Sequence, residues 1–375
     1  MYYFTLFVII AICFIEYRYE RVQKYSFFVS LFLIAFLLCF RCGVGIDYDG
    51  YYSNYYDIDN HSEWGFYLLE RTFLFLHIDY RLFVFLISSF MMFCSYRAIS
   101  LFCKYSSLSL LISFHTIVLT YYFSGMRQGI VIAFFLGFML KWLKEDNWIK
   151  YVIGCIAMML LHTVSIVLII LPIAKRIPQK VYKILVPLSF LSGGILMILG
   201  RYIIGHIYLG SMSWYEFAKN ISPSWLGILE RICMFGLIFW LWCHSGEHTE
   251  DEKLLFTVYT VGFMISMVFM PWSMLCSRVP AALKATEILL IPLLLNKQSK
   301  YKLIIFIMIC LYVFVMTTKN LEGYSYEVSA WGYPWYFILS KKGEEYPYLG
   351  MPEFIKSFKD ILLRHDYEIA QSLEH

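Results

Sequence analysis

Apolar runs approaching the length needed to cross the ~30 Å hydrocarbon core of a bilayer recur along this chain, separated by short polar stretches. They fall at 2–16, 26–40, 82–103, 107–123, 127–143, 181–204, 225–243, 254–275, 279–296 and 301–317, and predict an all-α polytopic membrane protein of roughly ten transmembrane helices. Several runs are short for a straight crossing, which implies tilt or local thinning of the bilayer. One further apolar segment, 149–173, disturbs the alternation.

Charged positions orient the pattern. Arg18, Arg21 and Lys24 follow the first run, which puts that loop in the cytosol and the N-terminus outside. Alternation then assigns Arg97, Lys104, Lys141, Lys144, Lys150, Lys253, Lys297, Lys300 and Lys302 to the cytosol. A full crossing by 149–173 would place Lys175, Arg176, Lys180 and Lys183 outside. A re-entrant segment, entering from the cytosol and breaking near His162-Thr163-Val164-Ser165, keeps all four inside and leaves both termini outside. Non-helical backbone at that depth requires protein or a wet cavity around it. The alternative is a plain span followed by an exceptionally basic outer loop. Tyr2 to Ile15 has no basic n-region and no small-residue cleavage site, so it reads as a retained first span. The expected organisation is a transmembrane domain over 1–317 and an extracytoplasmic, aromatic-rich tail over 318–375. An amphipathic stretch is expected within that tail, at Met351–Tyr367.

Composition agrees: 60% hydrophobic, 20% aromatic and only 15% charged residues exclude an ordinary soluble protein, for which charged residues make up about a quarter. The net charge of +4 is spread along the chain, without the concentrated basic face that nucleic acid requires. The ten cysteines lie mostly in apolar runs and lack C-x-x-C spacing, so they read as packing thiols. The basic residues expected outside (Arg41, Arg71, Arg81, Arg127, Arg201, Lys219 and Arg278) are nearly all arginine, whereas lysine dominates the cytosolic loops. Topology does not need that bias; two-pronged recognition of phosphate does.

Candidate chemistry collects on the outer side. Arg41-Cys-Gly-Val-Gly-Ile-Asp47-Tyr-Asp49-Gly-Tyr51-Tyr52 ends the second run and suits an anionic headgroup beside a sugar. Asp47, Asp49 or Glu63 would serve as a general base if desolvated, and as solvated loop acids if not. Asp47 is preferred because Gly43 and Gly45 let the backbone fold tightly there. Arg127, in the first turn of a span, opposes the helix dipole unless an anion is present. With Gln128 and free backbone N–H groups it would grip a pyrophosphate; snorkelling to lipid headgroups is the other reading. His162 sits within an apolar stretch, where a polar group is costly and commonly functional. Lys284 and Glu287, one turn apart, are expected to neutralise each other. Glu230 and Arg231, being adjacent, are expected to diverge, with either facing a cavity. Metalloprotease, P-loop and dinucleotide signatures are absent, the D-x-D patterns at 47–49 and 57–59 are weak, and neither metal nor cofactor is expected.

Taken in order, Arg41-x-Gly-x-Gly-x-Asp47-Tyr, Glu63-x-Gly65-Phe66-Tyr67, Arg127-Gln128, His162 with Ser165, and Arg278 before a late span resemble the EpsG-like, Wzy-type polysaccharide polymerases of bacterial capsule, exopolysaccharide and O-antigen assembly. The resemblance covers most of residues 1–320. It implies a multi-pass glycosyltransferase of the GT-C type in the bacterial inner (cytoplasmic) membrane, working on its outer face without metal or nucleotide. The substrate it implies is an undecaprenyl-diphosphate-linked oligosaccharide, with a growing glycan moved onto another lipid-linked repeat unit. A chain-length regulator and a flippase of the same pathway are its implied partners. Where the family tends to show His-x-Ser-Ala, this chain has His162-Thr-Val-Ser165, a departure that bears on Ser165 and not on the histidine. On both grounds Arg41, Arg127, Gln128 and Arg278 are expected to bind the diphosphate. Asp47, His162 or Glu63 would take the acceptor proton, with Asp47 ranked first and His162 second. A lipid-linked glycan flippase and a membrane acyltransferase acting on the polymer are the alternatives.

Overall fold

The computed structural model describes residues 2–41, 45, 47–57, 63–206, 221–298 and 300–323. The aromatic tail, Gly43, Lys219 and the side chains of Asp49 and Arg201 lie outside that description. Every described element is helical. Two antiparallel helices, α1 (Tyr2–Arg18) and α2 (Gln23–Cys39), are followed by two short ones, α3 (Tyr48–Tyr56) and α4 (Trp64–Phe75). Then come α5 (Tyr80–Cys103), α6 (Ser107–Tyr122) and α7 (Met126–Lys144). Asp79 starts α5 by accepting from the Leu82 backbone N–H at 2.8 Å, a side-chain cap that satisfies one orphan donor of the first turn. Lys104 ends it in the left-handed conformation at φ 49°.

Next is a helical hairpin, α8 (Trp148–Leu161) and α9 (Thr163–Ala174), in which the chain reverses at His162, whose backbone is extended. The Tyr151 hydroxyl donates to Leu168 O at 2.8 Å, tying the two arms. At the open end Lys175 donates to Leu143 O and to Asp146 Oδ1, both at 2.8 Å, so entrance and exit lie together. Ser165 donates its hydroxyl to His162 O at 2.7 Å and braces the turn, which gives that serine a local role in spite of the altered motif.

The remaining helices are α10 (Gln179–His206), α11 (Trp225–His244), α12 (Glu250–Val268), three pieces α13 (Ser273–Arg278), α14 (Ala281–Lys284) and α15 (Glu287–Asn296), and finally α16 (Lys302–Gly323). Thr249 and Glu252 form a reciprocal capping box at the start of α12.

Among the described residues five helices are long and apolar enough to cross a membrane: Tyr80–Cys103, Met126–Lys144, Gln179–Leu199, Trp225–His244 and Lys302–Leu321. The other expected spans fall short for local reasons. α2 has 17 residues, about 25 Å at 1.5 Å per residue. The run at 254–275 stops at Val268 and turns through Phe269–Trp272, and the run at 279–296 is broken after Lys284 and carries Pro292 inside its last piece. Large apolar side chains such as Phe4, Ile153, Ile198 and Leu311 project outward from α1, α8, α10 and α16, a surface that lipid would solvate and water would not. The centre of the bundle is α7, 72% buried along its apolar window, whereas α10 is 17% buried and peripheral.

Candidate active site

Three distant stretches of chain meet at the head of α7. Glu63, the residue before α4, places Oε1 at 2.9 Å from His162 Nδ1 and Oε2 against the Arg127 guanidinium in an ion pair. The hairpin thus carries His162 to its tip, α4 carries the carboxylate, and the first turn of α7 carries the arginine. Gly65 makes this possible: a Cβ there would lie 2.7 Å from the Leu160 backbone, so only glycine lets α4 approach the end of α8 so closely.

Arg127 is held on further sides. Its Nε donates to the Tyr51 hydroxyl at 3.3 Å, and its guanidinium lies over the Tyr51 and Phe66 rings, 5.6 and 6.0 Å from their centroids. Burial raises the Tyr51 phenol above its ordinary pKa, only partly offset by Arg127, so the hydroxyl stays neutral. Burial also raises Glu63, but the His162 hydrogen bond and the Arg127 charge outweigh it and hold the carboxyl below the usual glutamate range. An ionised carboxylate only accepts, so His162 donates from Nδ1. His162 Nε2 then carries the lone pair, and it has no hydrogen-bond partner among the described residues.

His162 and Arg127 both line a cavity of ≈ 180 Å³, together with Asp47, Tyr51, Thr120, Tyr121, Ser124, Gln128, Ser277 and Arg278. Pockets for drug-sized ligands start at about 300 Å³, so this space fits reacting groups and not a whole glycan. Asp47 is exposed at its edge, just ahead of α3. Arg278 is exposed as well, and its guanidinium has no carboxylate or hydrogen-bond partner among the described residues.

The turn bearing Arg278 is pinned by three helices. Gln128 donates its amide to Arg278 O at 2.5 Å, Tyr121 donates to Ser277 O at 3.3 Å, and Arg231 donates to Ser277 Oγ at 2.9 Å. Gln128 was expected to grip the substrate; its amide nitrogen is engaged with the arginine that faces the cavity. Arg231 also lies 3.9 Å from its neighbour Glu230, which accepts from the Tyr312 hydroxyl at 2.7 Å, so the adjacent pair does not diverge. Lys284 and Glu287 are separated by the break between α14 and α15 and form no ion pair, contrary to expectation.

Arg41 sits elsewhere. It is 1% exposed, donates to Ser88 Oγ at 3.0 Å and to Leu38 O at 3.3 Å, and stacks over the Phe123 ring. Gly45, at φ +115°, also packs on Phe123, where a Cβ would fall 2.4 Å from the carbonyl oxygen. Arg41 and Gly45 therefore back the wall of the cavity at Phe123–Ser124 without lining it. Arg71, another of the arginines expected outside, donates to Asn54 O, Tyr55 O and Asp57 O at 2.8–3.0 Å and so caps the C-terminal carbonyls of α3. Among the described residues no three His, Cys, Asp or Glu side chains gather as a metal site.

Sequence reasoning missed α3 as an element and Tyr121 and Ser277 as wall residues, whereas Tyr51 belongs to the stretch it singled out. Tyr48, Tyr51 and Tyr55, all buried, recur at helical spacing, which is the signal that was available. It missed Glu70 too. That residue shares a face of α4 with Glu63 and Phe66, is fully buried, and neither carboxyl oxygen has a hydrogen-bond partner among the described residues. Burial pushes Glu70 up to about 7, with Arg71 and Arg127 offsetting only part of the effect.

A model of the EpsG family matches residues 24–333, which takes in every one of these cavity residues. The chain belongs to the EpsG family. Neither the curated proteins nor the solved structures give a match. Family membership and the apolar helices make this a membrane protein with a polysaccharide polymerase role.

Proposed function

We propose that the chain elongates a polysaccharide by moving a growing glycan from undecaprenyl diphosphate onto the sugar end of another lipid-linked repeat unit. The observation that carries this reading is the Glu63–His162 pair, with Nε2 unpartnered, beside Arg127 and Arg278 in one cavity. In the proposed step the acceptor hydroxyl oxygen attacks the anomeric carbon as its proton passes to His162 Nε2. The bond from that carbon to the diphosphate oxygen breaks, and the diphosphate leaves with the electron pair. Arg127 and Arg278 offset the charge that develops on it, electrostatic stabilisation of the kind preorganised donors supply. Glu63 orients the imidazole and stabilises the imidazolium, as a carboxylate does behind any histidine base.

We assign the base role to His162 in place of Asp47, because the histidine combines a half-buried position, an orienting carboxylate and an unpartnered nitrogen. Asp47 is then the group at the edge that accepts hydrogen bonds from acceptor hydroxyls. Arg41 supports the wall behind Phe123. The shorter apolar helices cross a thinned or tilted bilayer to complete the ten spans, and the α8–α9 hairpin is re-entrant from the cytosolic side. The site then faces outward, in the inner membrane, as expected for the GT-C type.

The test is purified protein supplied only with lipid-linked repeat units. A ladder of longer glycans is expected, abolished by His162→Ala. Folded wild-type protein that makes no ladder, yet moves repeat units across vesicles, would replace this reading with the flippase one.

A further inference from the structure

A second and larger cavity, of ≈ 690 Å³, lies at the other end of the bundle. α10 and α11 both pack on α12 but hardly touch each other, which leaves a groove between them. Its position follows from α7, which runs from Arg127 at the candidate site to Lys144, 17 residues further on or about 25 Å away. There Lys144 pairs with Asp251 at 2.7 Å, at the start of α12, and the groove opens beside this same first stretch of α12.

The groove has an apolar wall and a cationic rim. Pro187, Phe239 and Trp242 line the wall, with Phe239 44% exposed. Trp242 stacks on both His248 and Phe256, at centroid distances of 3.4 and 4.2 Å, so the wall is preformed. At the rim stand Lys180 and Lys183, both exposed, three residues apart and hence on one face of α10. Neither has a carboxylate within ion-pair distance among the described residues, although most of the other charges at this end are paired. Glu252, also on α12, is bound by Lys297 at 2.6 Å.

A polar group marks the depth. Gln179 at the rim donates to Thr257 Oγ1 at 2.9 Å, and Thr260 lies one turn further along α12, about 5 Å deeper. Thr260 lines the groove, is 1% exposed, and its hydroxyl has no hydrogen-bond partner among the described residues. A buried hydroxyl in an apolar wall costs free energy unless an acceptor reaches it. Two unpaired lysines, an unsatisfied hydroxyl near the level of Lys183 and an aromatic wall beside them are matched by a phosphate, an ester carbonyl and an acyl chain.

We propose that this groove binds one anionic phospholipid from the leaflet at that end, with its phosphate at Lys180 and Lys183, an ester oxygen at Thr260 and a chain along Trp242. The site is separate from the candidate active site, and its test reads lipid and not glycan, so it stands or falls apart from the polymerase reading. Full-length protein in detergent would be titrated with phosphatidylglycerol and, separately, phosphatidylcholine, and retention read by native mass spectrometry. One phosphatidylglycerol should be retained in preference. Each rim lysine is worth about fivefold, so Lys180→Gln with Lys183→Gln should weaken retention about 30-fold. Thr260→Val should give a smaller loss. Phosphatidylglycerol with brominated chains should quench Trp242 emission, read as the difference from Trp242→Phe, while glycerol phosphate, a headgroup without chains, should not compete. Equal retention of the two lipids, undiminished retention in the double lysine variant, or full competition by glycerol phosphate would each overturn the proposal.

Discussion

Glu63→Gln isolates the centre of the proposed mechanism, because the carboxylate serves two partners at once. In the native protein an ionised Glu63 accepts from His162 Nδ1 at 2.9 Å, which leaves Nε2 as the acceptor nitrogen of a side chain that lines the cavity. An amide of the same shape presents an N–H to Nδ1 and favours the opposite tautomer, with the proton on Nε2. The imidazole is then a donor where a base is required. General-base contributions are typically about a hundred- to ten-thousandfold, so the rate at saturating donor should fall by that range. Arg127 meanwhile loses its counter-charge and is freer to hold a diphosphate, so the KM for donor should stay the same or fall. The assay is initial rates of ladder formation from a fluorescent lipid-linked repeat unit with purified protein. A Glu63→Gln rate within about threefold of wild type, or a loss carried wholly by KM, would refute the assignment of Glu63 as the residue that orients the base.

Arg127→Lys should lose most activity although its charge is kept, since an ammonium cannot reproduce a two-pronged grip; Lys141→Arg, at the far end of α7, should change little in the same ladder assay. Arg231→Met should raise the KM for donor with kcat less affected, because Arg231 holds Ser277 beside Arg278 and touches nothing that reacts; equal loss in both constants would count against it. Glu70→Gln bears on stability. A carboxyl raised from 4.5 to about 7 loses its contribution as pH rises through that interval, so the glutamine should gain up to about 3 kcal/mol above pH 8 and little below pH 4. Thermal unfolding in detergent at both ends of that range checks the sign.

Much of the bundle was legible because apolar run length is a local property. So was the reversal at His162: one polar residue interrupts the run, and the four basic residues after it resist placement outside. What was not legible is contact between distant residues. Glu63 ranked below Asp47 since nothing in the chain reveals that positions 63, 127 and 162 meet; each is locally an unremarkable acid, snorkelling arginine or core histidine. Arg41 stood out for sitting at the mouth of a span, but its surroundings, Ser88 and Phe123, come from other helices and bury it. α3 and α4 were missed for a different reason. The α3 sequence is Tyr-rich, Gly-punctuated and poor in aliphatic periodicity, α4 has only 12 residues, and both are held by tertiary means, such as the Arg71 cap and the Tyr55 hydroxyl on Ile78 O at 2.7 Å. Only five of the ten expected spans are single helices of crossing length among the described residues, because Pro and polar turns cut the later runs, and one such cut puts Arg278 on a short helix beside the cavity.

The charges around the cavity assign its sides. Arg127 and Arg278 are balanced by Glu63 and Asp47 when His162 is neutral, so a diphosphate would not be drawn in by net field. It would have to be recognised by position, and the arginine without a partner among the described residues, Arg278, is the one able to engage it without first breaking a native pair. In the proposed reaction the leaving group would then lie along α6, α7 and α13, where Gln128 and Tyr121 hold the Arg278 turn in place. Asp47 would repel a diphosphate at close range, and a carboxylate is a good acceptor for sugar hydroxyls, so the acceptor belongs on the α3 side. His162 reaches the cavity from the hairpin, a third direction, which in the proposed reaction is where a proton would leave one substrate as the other departs. A base placed on either substrate's own wall would have to compete with the contacts that hold that substrate; a base brought in on a separate hairpin does not.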